Sequence, residues 1–404
     1  MRTTMATENN NKTLNVPNLR FPEFSEEWKS NELHKVASLS KGTGISKDQL
    51  SDSGHPCILY GELYTKYKSE IIREVYSKTQ LDVANLVKSH TNDVIIPCSG
   101  EAAIEIATAR CVLIPEVLLG SDLNIIRLNG CHDGGFFAYQ LNGKRKVDIA
   151  KVAQGVSVVH LYGEHLKKVK VSYPSLKEQQ KISSFLALLD ERIATQIKII
   201  EDLKKLKSAI THLHFDAVTD KYYSADIGDC IEQVSKRNKD GKVKEVLSVS
   251  NKNGFVNQSE QFEDREIASE DTSNYKVVHT NDFAYNPARI NVGSVARLHN
   301  YACGIVSPMY ICFHTKPMLL PEYFEHIFST SYFRHEMHKR LEGSVRLCLT
   351  YDSLCNIKIA LPSIDEQKQF VSQISAIISK IINEDRLLTL YQTLKRYLLS
   401  QMFI

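Results

Sequence analysis

No apolar run approaches the ~18 residues that a membrane-spanning helix needs, so a chain that crosses the bilayer as helices is excluded. Residues 1–13 are polar and asparagine-rich, without the apolar stretch of a secretory signal. This predicts a flexible N-terminal tail over residues 1–16 and a cytoplasmic location. The nine cysteines (Cys57, Cys98, Cys111, Cys131, Cys230, Cys303, Cys312, Cys348 and Cys355) form no Cys-x-x-Cys pair, and their number is odd. Free thiols in a reducing compartment are expected, with no zinc site or disulfide framework. Charge of one sign is also missing: 50 Lys and Arg against 47 Asp and Glu leave a net +3. That excludes a general polycation and leaves room for local basic surfaces. There is no phosphate-binding lysine loop and no glycine-rich strand-to-helix turn for a nucleotide or S-adenosylmethionine. No acidic cluster with a trailing lysine marks a nuclease.

What is present is a long repeat. Tyr173-Pro-Ser-Leu-Lys-Glu-Gln-Gln-Lys181 returns as Leu361-Pro-Ser-Ile-Asp-Glu-Gln-Lys-Gln369, an offset of 362 − 174 = 188 residues. At the same offset Gly155 falls on Gly343, Leu161 on Leu349, Leu166 on Leu354, Lys170 on Lys358 and Phe215 on Phe403. One long period means two copies of one unit, not a solenoid. In 404 residues, 43% hydrophobic and 24% charged, each copy is large enough to bury a core.

Each copy continues as a helix. Ser175 with Glu178, and Ser363 with Glu366, have capping-box spacing, and the preceding proline stops the upstream chain from running in. Apolar residues then recur every three to four positions, predicting ~35-residue helices of ~50 Å. Such helices need a partner, and the other copy supplies one. Ile182, Leu186, Leu189, Ile193 and Ile200 in the first, with Phe370, Ile374, Ile377, Ile381 and Leu388 in the second, are the expected seam of an antiparallel pair. Ile193 and Ile381 are matched positions near its middle; Glu384-Asp385 is a polar interruption. Packing of each helix on its own domain is the alternative.

The regions between, about 17–172 and 217–360, mix short β-rich runs (Asp93–Pro97, Cys111–Pro115, Val246–Ser250) with helical stretches such as 321–341. They share little sequence, so a common frame carrying inserts with two different jobs is expected. The fold class is α/β: two globular domains in pseudo-two-fold repeat, separated by two long helices.

In order along the chain, several stretches resemble the DNA-specificity subunit of type I restriction-modification systems. They are Asn15-Val-Pro-Asn-Leu-Arg-Phe-Pro-Glu-Phe24 with Trp28 and Leu33, the runs Gly155–Leu161 and Gly343–Leu349, and Pro-x-x-x-Glu-Gln at Pro174, Glu178, Gln179 and at Pro362, Glu366, Gln367. Phe370 stands where the first copy has Ile182, and Tyr222-Tyr223 stands where the first domain has Trp28. The resemblance implies target-recognition domains at 17–172 and 217–360, each reading half of a split site in double-stranded DNA. The helices, at 173–216 and 361–404, would be the spacer. Two methyltransferase subunits and the restriction (motor-nuclease) subunits would be partners. The chain itself would be non-catalytic and hold no cofactor; S-adenosylmethionine, ATP and magnesium would belong to the other subunits.

Candidate DNA contacts follow from residue type. Lys41, Thr43, Ser46 and Lys47 lie in a basic, glycine-containing loop; Tyr60, Tyr64 and Lys66 interleave aromatic and basic groups. Ser99 and Glu101 sit on a turn, where a carboxylate can accept from a cytosine amino group. In the second domain Ser250, Asn251, Lys252, Asn253, Arg265, Asn286 and Arg289 are candidates. Plain surface turns are the alternative for each. Asn286-Pro-Ala-Arg289 is also similar to the Asn-Pro-Pro-aromatic loop of N6-adenine methyltransferases, but Ala288 and Arg289 replace the second proline and the stacking ring. A methyltransferase with its own specificity region, and a coiled-coil scaffold without nucleic-acid binding, are the two competing readings.

Overall fold

The computed structural model describes residues 2–3, 14–251, 253–258, 271–343 and 346–404. Two units are compact in themselves: residues 1–199 with 384–404, and residues 200–383.

In the first unit the strand Asp93–Pro97 is an unbroken apolar run after its aspartate, and all five residues are buried. It therefore takes a central place, as a strand covered on both faces must. The sheet runs Ala37–Lys41, Leu123–Leu128, Asp93–Pro97, Arg110–Val112, Ile71–Ile72. Its neighbours are antiparallel except the last pair. The helix Gly134–Asn142, capped by Asp133 accepting from the Phe136 amide at 2.7 Å, brings Phe136, Phe137 and Tyr139 into the core. Trp28 meets Phe136 and Phe403 edge-on. A smaller sheet joins Leu118–Leu119, His55–Ile58, Ser77–Thr79 and Leu50–Ser51.

The second unit repeats the first four strands of this order with Ile231–Val234, Ile311–Thr315, Phe283–Tyr285 and Val295–Arg297, again antiparallel. Both smaller sheets contain a parallel pair at the corresponding place, Leu118–Leu119 on His55–Ile58 and Cys303–Val306 on Val246–Ser250. The inserts that share so little sequence therefore share a sheet order. Each domain is closed by its two ends: Lys170–Tyr173 pairs with Lys29–Glu32, and Lys358–Ala360 with Ser224–Asp226.

The helices span Leu176–Lys221 and Ile364–Gln401, 46 and 38 residues, so the first runs past residue 216. Within each unit they lie antiparallel. Lys395 meets Asp190 and Glu384 meets Gln196 in the first; Phe370 meets Phe215 and Glu366 meets Lys221 in the second. Ile182, Leu186 and Leu189 share one core with Trp28 and Phe136 of the domain, with Leu398 of the other helix and with Met402 and Phe403 just past its end, while Ile193 packs at its margin. Phe370 and Ile374 do the same with Tyr323 and Phe324. The helix pair and the helix-on-domain packing are one core in each unit. Ile200 is buried, whereas Ile377, Ile381 and Leu388 are half-buried. The interrupting position proves to be a buried one: the Gln196 amide donates to the Glu384 carbonyl at 3.2 Å and to its carboxylate. Their separation, 384 − 196 = 188, is the repeat offset itself.

The Glu-Gln motif has a physical reason. Gln179 accepts from the Asp133 amide (3.0 Å) and donates to the Pro174 carbonyl (2.9 Å). Gln367 accepts from the Leu320 amide (2.8 Å) and donates to the Pro362 carbonyl (2.9 Å). Asp133 and Leu320 are the N-caps of domain helices Gly134–Asn142 and Pro321–Ile327. A side-chain amide carries both a donor and an acceptor, so one residue stitches the long helix to its domain. The glutamates diverge. Glu366 forms the expected box with Ser363 and also takes Lys221 and Tyr222. Glu178, 1% exposed, accepts both arms of Arg20 at 2.7 Å. A bidentate guanidinium in a dry site binds a carboxylate more strongly than a serine amide does.

Candidate nucleic-acid interface

In the first unit three predicted loops converge. Lys41 ends its strand opposite Asn124, and the next residues turn onto the smaller sheet, where the Thr43 amide donates to Leu119. Cys98 follows the central strand and donates its amide to Asp122. Its thiol, pushed up by burial to about 11, feels Lys41 and Asp122 as its charged neighbours. The Tyr64 hydroxyl is raised by burial first, then by Tyr60, Glu105 and Glu101. Lys41, Tyr60, Tyr64 and Glu101 thus border the turn at 97–101, and Lys41 and Glu101 are exposed. A cation, two phenol rings and a carboxylate beside one turn suit phosphate contact together with base readout.

Other candidates in this domain have structural duties. Lys66 holds Glu62 and Ser77 at 2.6 and 2.7 Å. The Thr43 hydroxyl accepts from Val87, and Ser46 bonds Gln49 through both amide and hydroxyl. Ser99 is buried and pairs with His160 across a short ladder. Lys47 is exposed in the 41–47 loop.

In the second unit the strand Val246–Ser250 and the segment 286–294 are joined by Ser294. Its hydroxyl donates to the Val249 carbonyl (3.3 Å), its amide to Arg289 and its carbonyl accepts from Asn286. Asn251, Asn253 and Arg289 are exposed, and Ser250 accepts from the Asn253 amide. Asn286 is buried, with its side-chain oxygen accepting from Ala288 at 3.1 Å, so it shapes the turn. Lys252 and Arg265 lie outside the described residues. Among the described residues no cluster of His, Cys, Asp or Glu could hold a metal ion, and no helix is long and apolar enough to cross a membrane.

Residues 25–205 match the family of type I restriction modification DNA specificity domains. This stretch, under half of the chain, is similar to such a domain. The specificity domain's work is DNA recognition for restriction modification, and its family is the non-catalytic S subunit of these systems. The fold of the whole chain agrees. It is similar to the type I restriction-modification S subunit from M. genitalium, at 16% identity and a TM-score of 0.61, covering 96% of this chain and 99% of that one. It is also similar, at 13% identity and a TM-score of 0.55, to a chain from a structure of type I R-M complex assembly and conformational transition, covering 93% and 97%. No curated protein sequence matches the chain significantly.

The first unit also contains a buried ion cluster that sequence reasoning missed. Lys395 reaches Glu70 and Asp190, each at 2.6 Å, and Asp190 further accepts from Tyr139 (2.8 Å) and Ser69 (3.1 Å). Burial raises the Glu70 carboxyl above its usual range, against the pull of Lys395. Glu70 and Lys395 are 325 positions apart, and no local pattern links them. On the first helix, His214 stacks on Phe370 and meets the Tyr323 hydroxyl at 3.0 Å.

Proposed function

We propose that this protein reads a split site in double-stranded DNA. The domain at 17–172 contacts one half and the domain at 217–360 the other, and the long helices fix the spacing between the halves. Lys41, Lys47, Tyr60, Tyr64 and Glu101 face DNA from the first domain; Asn251, Asn253 and Arg289 do so from the second. Two methyltransferase subunits dock on the helical frame and restriction subunits join them. S-adenosylmethionine, ATP and magnesium act on those subunits, in the cytoplasm.

The observation that carries this reading is one sheet order built twice from unlike sequences, each copy stitched to its long helix by the same glutamine. Equivalent scaffolds with different loops fit two half-sites of different sequence. The test exchanges residues 17–172 for the matching domain of a relative and sequences the methylome made by the assembled complex. One half of the modified site should change and the other stay. A change in both halves, or methyl transfer by the purified chain alone, would refute the reading.

A further inference from the structure

A second repeated device lies beside the turns just described. Gln154 and His160 close a short loop by mutual backbone bonds of 2.9 and 2.7 Å; Glu342 and Cys348 close another at 2.9 and 2.8 Å. The offsets, 342 − 154 and 348 − 160, are both 188. Gly155 and Gly343 have the same φ of 123°. A Cβ there would stand 2.0 Å from the Val158 carbonyl oxygen and 2.3 Å from that of Arg346. Only glycine closes either loop in this form.

The residue that ends the run, Leu161 or Leu349, is buried in both domains. Its amide donates to a turn: Leu161 to the Cys98 carbonyl at 2.7 Å, Leu349 to the Pro287 carbonyl at 3.1 Å. Its carbonyl accepts from the sheet: from the Asn124 side chain at 2.9 Å, and from the Tyr285 hydroxyl at 3.2 Å. In the first domain Ser99–Gly100 also pairs with Val159–His160. The turns so held, 97–101 and 286–289, follow corresponding strands, Asp93–Pro97 and Phe283–Tyr285. The sequences of the two turns differ, yet each is held by the amide of the equivalent leucine.

We infer that turns 97–101 and 286–289 are the matched base-reading elements of the two domains, and that the glycine-closed loops are the clasps that position them. Glu101 and Arg289, the exposed charged residues of these turns, read base edges. A carboxylate accepts from a cytosine amino group, and a guanidinium pairs with guanine. Gly155, Leu161, Gly343 and Leu349 are positioning residues: discrimination needs the reading group held within ~0.5 Å. This inference rests on the proposal that each domain contacts half of a split site.

The test uses the full chain assembled with its methyltransferase subunits. Binding is measured to the cognate duplex and to duplexes with a single mismatch in either half, at several salt concentrations, for wild type, Gly155→Ala and Gly343→Ala. Each variant should lose tenfold or more in mismatch discrimination in one half only, the two variants in opposite halves, with the salt dependence unchanged. Equal loss on all sequences with the mismatch ratios intact, or loss in both halves from one glycine, overturns the clasp. Should either variant fail to fold, Glu101→Gln and Arg289→Ala leave the clasps intact and must each relax one base pair in opposite halves; unaltered specificity in both overturns the inference. Wild-type complex that ignores mismatches in either half refutes the two-half reading itself, a separate outcome.

Discussion

Lys395→Met tests the buried ion cluster of the first unit. Lys395 is 15% exposed and its partners Glu70 and Asp190 only 8% and 6%, so little water is available to replace the ammonium. Removing one partner of a buried pair costs about 3–5 kcal/mol, and here two carboxylates lose the same cation. With m of ~2–3 kcal/mol/M in urea, the midpoint should fall by roughly 1–2 M. The assay is unusually direct. Trp28 is the one tryptophan of the chain and is buried in the first unit's core, so its fluorescence follows that unit alone. The sign of the pH effect is also fixed. The folded-state Glu70 carboxyl is already raised, and losing Lys395 raises it further. The folded variant then takes up a proton more readily than the unfolded chain, so its deficit shrinks as pH falls from 8 toward 5. Glu70→Gln added to Lys395→Met should recover part of the loss at pH 8. A fluorescence midpoint unchanged within 0.2 M at pH 8, or a deficit that grows on acidification, would refute this account.

Three other outcomes are expected. Gln179→Leu strands the Asp133 amide and the Pro174 carbonyl, and should cost ~1–3 kcal/mol in the Trp28-reported transition; Gln367→Leu should leave that signal nearly unmoved while lowering the second-unit transition seen by far-UV circular dichroism. His326, held down to about 4 by burial and then by Lys207 and Arg297, stays neutral in the folded second unit while the unfolded chain protonates. Stability should therefore fall as pH drops from ~6.5 to ~4, by up to ~1.4 kcal/mol per pH unit; a His326→Gln variant with the same acid slope would contradict this. In the assembled complex, Arg289→Ala should cost ~1–3 kcal/mol of cognate binding and relax one base pair, and unchanged binding to matched and mismatched duplexes would remove Arg289 from the interface.

Local signals were readable and distant ones were not. Pro-Ser-x-x-Glu fixes a helix start within a few residues, and observed starts at Leu176 and Ile364 lie directly after the two serines. The apolar stripe likewise identified Ile182, Leu186, Phe370 and Ile374, because a 3.6-residue period is a local property. The common sheet order escaped notice. Pairing Ile125 with Ile95 and Ser40, or Phe283 with Phe313 and Arg297, leaves no trace in single segments. The capping box was expected twice but formed once, since Arg20 claims Glu178 from 158 positions away. Among the proposed contacts, Lys66, Thr43, Ser46 and Asn286 have the right chemistry and are engaged inside the fold. Residue type alone cannot separate a group that waits for DNA from one already partnered.

The Gln196–Glu384 contact bears on how newly made chains choose partners. Because the two positions are repeat equivalents, an identical half from a neighbouring chain could in principle occupy the same place. Two first halves would then oppose glutamine to glutamine. Two second halves would oppose glutamate to glutamate, and buried carboxylates that close repel at neutral pH. The mixed pair alone joins an amide donor to a carboxylate acceptor. A single divergent position thus favours a first half meeting a second half over two second halves meeting each other, by penalising the wrong match rather than by strengthening the right one.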